Sequence, residues 1–200
     1  MPIKAVYFDL GGVIVRTEDR SPREELGRAL GKTYSEMDLA VFENQSSFEA
    51  SLGYISEDQH WRNVVQKLGL PQSEIDRVRT AFFAGDRIDW ELIGFLRALR
   101  PTHKTGLISN AWSDLRPWMV SQKFEDAFDA LAISAELHVA KPAPEIYHHA
   151  LRELGVEPSE AVFVDDMPRN VEASQALGMH GVQFRSTAQA LAEVRELLKK

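Results

Sequence analysis

Residues 3–15 read IKAVYFDLGGVIV, and this stretch decides the fold class. An apolar run of β-branched and aromatic residues, closed by one acid and two glycines, predicts a buried strand ending in a tight turn. Four more runs of this kind occur, at 104–109 (KTGLIS), 130–134 (ALAIS), 160–164 and 180–184 (HGVQF). Between them the apolar spacing changes to that of helices. Leu92, Ile93, Phe95, Leu96 and Leu99 share one face, as do Ile146, Tyr147, Ala150, Leu151 and Leu154 before Gly155. Leu191, Val194, Leu197 and Leu198 mark a last helix. Strand and helix in alternation predict an α/β fold, a doubly wound, mainly parallel, Rossmann-like sheet.

Residues 16–87 interrupt that rhythm with helical patterns and no convincing strand. Ser56 followed by Gln59 is a capping-box signal ahead of Trp61, Val64, Val65 and Leu68. Ser73 precedes Ile75, Val78 and Phe82 in the same way. The economical organisation is an α/β core made of 1–15 and 88–200, with a small helical domain of 16–87 inserted after the first strand. A cleft between the two is expected.

Composition limits the function classes. The 200 residues carry a net charge of −7, which argues against nucleic acid or an anionic membrane as the main partner, since both need clustered Lys and Arg. There is no cysteine, so thiolate nucleophiles, disulfides and zinc ribbons are excluded. No apolar run approaches the length needed to span a membrane, and the amino terminus lacks a signal-peptide pattern. The expectation is a cytoplasmic protein.

In an open parallel sheet, ligands bind beyond the carboxyl ends of the strands. The residues just past each apolar run are therefore informative. After the first comes Asp9, then Leu10-Gly11-Gly12; after the second, Ser109-Asn110; after the third, across a short loop, Lys141-Pro142; after the fourth, Asp165-Asp166. Singly, each residue has an ordinary explanation as a turn, cap or solvated residue. Together they bring carboxylates, small donors and one cation to a single edge of the sheet. Adjacent carboxylates repel unless something cationic sits beside them.

The set Asp9-Leu-Gly-Gly-Val-Ile, Leu107-Ile-Ser109-Asn110, Lys141-Pro142 and Val164-Asp165-Asp166 resembles the four motifs of the haloacid dehalogenase superfamily, in order and over nearly the whole chain. Residues 16–87 correspond to that family's helical cap. The resemblance implies a hydrolase in which Asp9 is the nucleophile and forms an ester intermediate. Ser109 and Asn110 match the motif that holds the phosphoryl oxygens. Lys141 matches the cation that neutralises the nucleophile and the group in transfer. Asp9, Gly11 (through its carbonyl) and Asp166 match the magnesium ligands, with Asp165 as their neighbour. The implied reaction is Mg2+-dependent hydrolysis of a small phosphorylated metabolite, with sugar phosphates as one class.

The sequence departs from that pattern at Gly11, where the family's phosphatases usually carry a second Asp as general acid and base. Three readings compete. The chain is a phosphatase that acts on easier leaving groups, such as an anomeric phosphate, or borrows an acid such as Glu18 or Asp19. It is a 2-haloacid dehalogenase, a reading opposed by the intact Asp165-Asp166 pair. Or it binds phosphorylated ligands with little turnover. In the inserted region Phe42, Phe48, Tyr54 and Trp61 are candidates for a pocket wall, with Arg16, Gln45 and Glu49 as polar candidates, although aromatics at helical spacing usually belong to a core. The six histidines form no metal-binding pattern.

Overall fold

The computed structural model describes residues 2–199. Along the chain, β1 (Ala5–Phe8) and β2 (Val15–Thr17) precede five helices: α1 (Ser21–Ala29), α2 (Tyr34–Val41), α3 (Gln45–Ser51), α4 (Glu57–Lys67) and α5 (Ile75–Phe83). Then come β3 (Asp86–Ile88), α6 (Trp90–Leu99), β4 (Lys104–Ser109), α7 (Leu115–Ser121), β5 (Ala130–Ile133) and α8 (Ser134–Leu137). α9 (Pro144–Leu154), β6 (Ala161–Asp165), α10 (Pro168–Ala176), β7 (His180–Gln183) and α11 (Thr187–Leu198) complete the order.

Five of the strands form one parallel sheet in the order β5-β4-β1-β6-β7. β1 is central and wholly buried, which explains its unbroken apolar reading. Its side chains alternate between two cores. Val6 and Phe8 pack with Leu92, Ile93 and Leu96 of α6 and Leu191 and Val194 of α11. Ala5 and Tyr7 face the other way, with Ile146, Tyr147, Ala150 and Leu151 of α9. The chain runs outward from β1 through β4 to β5, then returns to the other side for β6 and β7. The strand order therefore reverses between β1 and β6, and a crevice is expected there.

Helices α1–α5 build a third cluster, in which Leu26, Met37, Val41, Trp61, Val64, Val65, Val78 and Phe82 are buried. An antiparallel ribbon of β2 and β3, with Arg16 opposite Arg87, joins this helical body to the sheet. These two three-residue strands straddle both boundaries expected from the sequence. Periodicity does not reveal them, because three residues are too few to show a period of two. Ser56 does cap α4, accepting from Gln59 N at 3.1 Å, but the Gln59 side chain turns to Asn63 instead of closing the box. Ser73 caps nothing: it lies in a 3-10 turn, Gln72–Glu74, that runs straight into α5.

Candidate active site

Asp9 leaves β1 with its N–H donating to Val164 O at 2.8 Å, so the ladder with β6 continues one residue past the strand. Its carboxylate is fixed by Leu10 N, which donates to Oδ1 at 2.6 Å, and by Lys141 Nζ, 2.8 Å from Oδ2. The same Nζ lies 2.6 Å from Asp165 Oδ2 at the tip of β6. Lys141 is 3% exposed and Asp165 fully buried. A buried charge is tolerated when paired and hydrogen-bonded, and this ammonium is paired twice.

Asp165 has little freedom. Its Oδ1 accepts from Met167 N at 2.8 Å, and the Asn170 amide donates to both of its oxygens, at 3.0 and 3.1 Å. Asp166, half-buried, completes a cluster with Asp9 and Asp165 in which one carboxylate oxygen of each lies within 4.8 Å of the others. Burial, reinforced by Asp165, pushes the Asp9 carboxyl up to about 7 against the pull of Lys141. Burial and Asp165 raise Asp166 as well. Three carboxylates against one ammonium leave the cluster with excess negative charge, and its donors are all hard oxygens. That donor set fits a small divalent cation such as Mg2+.

The two glycines after Asp9 play different parts. Gly12 adopts φ +75°, and a Cβ there would lie 2.5–2.9 Å from the Asp166 carboxylate, so only glycine lets that group approach. Gly11 is exposed, its φ is ordinary, and a Cβ there would have no atom within 4 Å. Backbone geometry does not require glycine at position 11.

Ser109 ends β4, and the register Phe8↔Leu107 places it at the strand tip next to Asp9. Asn110 does something the sequence does not suggest. Its Nδ2 donates to Lys141 O at 2.9 Å and its Oδ1 accepts from Lys141 N at 2.8 Å. The side chain thus clamps the main chain of Lys141, using one of its two amide hydrogens. Ser134, which no motif marks, accepts from Ala111 N at 3.0 Å and so holds the loop after β4. A serine after a strand carries no signal of that role. Asn170, four residues past the acidic pair, is noticeable only by that spacing.

Glu18 and Asp19 both turn to structural partners. Glu18 pairs with Arg16 Nε at 3.1 Å, and Asp19 accepts from Ser21 N at 2.9 Å. Arg16 itself bonds Val13 O and, at 2.9 Å, Asp89 Oδ2. Gln45 and Glu49 pair with each other. Trp61 belongs to the core of the helical body, whereas Phe48 and Tyr54 are exposed. Phe42 stacks on Trp112, a residue of the loop after β4, with centroids 5.8 Å apart. The His60 ring lies 4.4 Å from the same Trp112.

Comparisons with known proteins bear on the family and the fold. The family model described as haloacid dehalogenase-like hydrolase matches residues 3–178. A D-ribitol-5-phosphate phosphatase of Bacteroides thetaiotaomicron is 29% identical over 98% of both chains. A sesquiterpene phosphatase of Aspergillus oryzae is 28% identical over 98% of this chain and 96% of that one. A crystal structure of a family enzyme from Bacteroides thetaiotaomicron, in complex with magnesium and inorganic phosphate, shares the fold with TM-score 0.76 at 24% identity, covering 92% of this chain and 96% of that one. From strand order, the converging strand tips and the match over residues 3–178, the chain belongs to the haloacid dehalogenase-like hydrolases.

Proposed function

We propose that this hydrolase is a Mg2+-dependent phosphatase of small phosphate monoesters, acting through an aspartyl-phosphate on Asp9. The observation that carries the reading is the bridge from Lys141 Nζ to Asp9 and Asp165, with Asp166 alongside, at the reversal of strand order. The phosphatase names of two full-length relatives support it. Sugar phosphates, the anomeric ones among them, are the first substrates to test.

Asp9 Oδ attacks phosphorus, the bond to the leaving oxygen breaks, and water later attacks phosphorus to release phosphate and restore the carboxylate. Lys141 offsets charge on Asp9 and on the group in transfer, where a water-poor site makes a fixed cation most effective. The Ser109 hydroxyl donates a hydrogen bond to a phosphoryl oxygen. Asn110 fixes the Lys141 main chain, and Asp165 fixes its ammonium. Asp9, the Gly11 carbonyl and Asp166 would hold Mg2+, which when bound supplies positive charge against the phosphoryl oxygens. Residues 16–87 act as a cap over the strand tips, where they exclude water and meet the leaving group.

The test is phosphate release from a panel of small phosphate esters with Mg2+ and with chelator. Release that needs the metal is the expected result. Chloride release from a chloro-acid in chelator would favour a dehalogenase. Phosphate-analogue binding without turnover on any ester would favour a binding module.

A further inference from the structure

Turnover through Asp9 makes a proton demand. When the P–O bond breaks, the leaving oxygen takes the electron pair. An alkoxide needs a proton at that moment, whereas a phenolate, enolate, carboxylate or anomeric oxygen departs with less help. Among the described residues, Lys141 and the Asp165 it bridges to Asp9 are already committed. Lys141 is held by Asp9 and Asp165, while Asp165 is held by Lys141, Met167 N and Asn170. Asp166 sits in the acidic cluster against Gly12. The exposed wall beside Asp9 is Gly11, where a Cβ would find open space. The two carboxylates that follow β2 pair locally, Glu18 with Arg16 and Asp19 with Ser21 N.

We infer that this enzyme selects substrates by leaving-group basicity. It hydrolyses aryl, enol, acyl and anomeric phosphates, and it is slow on ordinary alkyl phosphates. The inference rests on the aspartyl-phosphate reading above. In the first step Asp9 Oδ bonds to phosphorus and the leaving group departs as its anion, to be protonated by solvent. In the second, water bonds to phosphorus, the P–Oδ bond breaks, and the water's proton passes to solvent.

The experiment measures kcat/KM with Mg2+ for aryl phosphates of graded phenol pKa, acetyl phosphate and ribitol 5-phosphate as the alkyl case. In the wild type, log kcat/KM should fall steeply with leaving-group pKa, by about threefold or more per unit. Gly11→Asp should flatten the slope and raise the alkyl rate by about 10²–10⁴-fold. Gly11→Asn, of equal size but unable to give up a proton, should keep the wild-type slope. Circular dichroism checks that both variants fold; if Gly11→Asp does not, the wild-type slope decides alone. A flat wild-type slope, or a steep one that folded Gly11→Asp leaves unchanged, overturns the inference while the phosphatase reading stands. Absence of phosphate release from every substrate overturns the phosphatase reading and this inference with it.

Discussion

Two buried cations, Lys141 in the sheet crevice and Arg23 in the helical body, each 3% exposed, put the same kind of charge to different uses. Arg23 is fully engaged. Nε donates to Phe82 O, one terminal nitrogen to Tyr34 Oη and Asp38, and the other to Thr17 and Asp86, while the guanidinium lies 3.9 Å over the Phe82 ring. These partners join α1, α2 and α5 to both strands of the ribbon, so Arg23 fastens the helical body to it. The compact Lys141 ammonium is held by two carboxylates, beside a third and next to exposed glycines. One cation closes a structure, and the other stands where charge can still be added. Planar, many-donor arginine suits the first task and point-like lysine the second.

Four measurements can break this contrast, in order of expected effect. Asp9→Asn should lower turnover by about 10⁴-fold or more while the protein stays folded; residual activity near wild type would remove Asp9 as nucleophile. Arg23→Met should leave Asp38 and Asp86 unpaired and cost about 3–5 kcal/mol of stability, read in chemical denaturation. Its kcat at saturating substrate, below the unfolding transition, should stay within about tenfold of wild type. A collapse of kcat at full folding would instead give Arg23 a part in the chemistry.

The third measurement uses pH, to which the two regions respond with opposite sign. Burial holds His60 at about 4, so between roughly pH 6.5 and 4 the folded state binds fewer protons than the unfolded chain. Its contribution is present above that window and is lost as pH falls through it. Asp9, pushed up by burial to about 7, does the reverse in metal-free protein: the folded state binds more protons between roughly pH 4 and 7, so its contribution declines as pH rises. Thermal melts across this range should show His60→Phe weakening the acid-side loss and Asp9→Asn weakening the opposing trend. Matching profiles for the two variants would break the contrast. The smallest effect is expected from Glu18→Gln. Its carboxylate pairs with Arg16, so kcat/KM should hold within about twofold. A large loss would make Glu18 the missing proton donor.

Much of the core was legible because burial on both faces writes continuous apolar runs, and β1, β4 and β6 are such strands. The helical body was legible in its helices but not in its attachment. Neither the short ribbon nor Arg23 has a local pattern, since the arginine's partners come from positions 17, 34, 38, 82 and 86. In the site, residue types and their order pointed to Asp9, Lys141 and Asp166, while the task of Asn110 depended on a contact 31 residues away.

Local pattern carries the alternation of strands and helices, the acids after the first and fourth apolar runs, the Ser-Asn pair after the second, and the glycine at position 11. These are local facts, written in periodicity and in the residue just past each strand. It took the folded chain to bring Lys141 between Asp9 and Asp165, to pack Gly12 against Asp166 while Gly11 borders open space, and to pair Glu18 with Arg16 and Asp19 with Ser21 N. Each of these depends on distance between segments far apart in the chain or on the course of the backbone, and one-dimensional spacing carries no record of either.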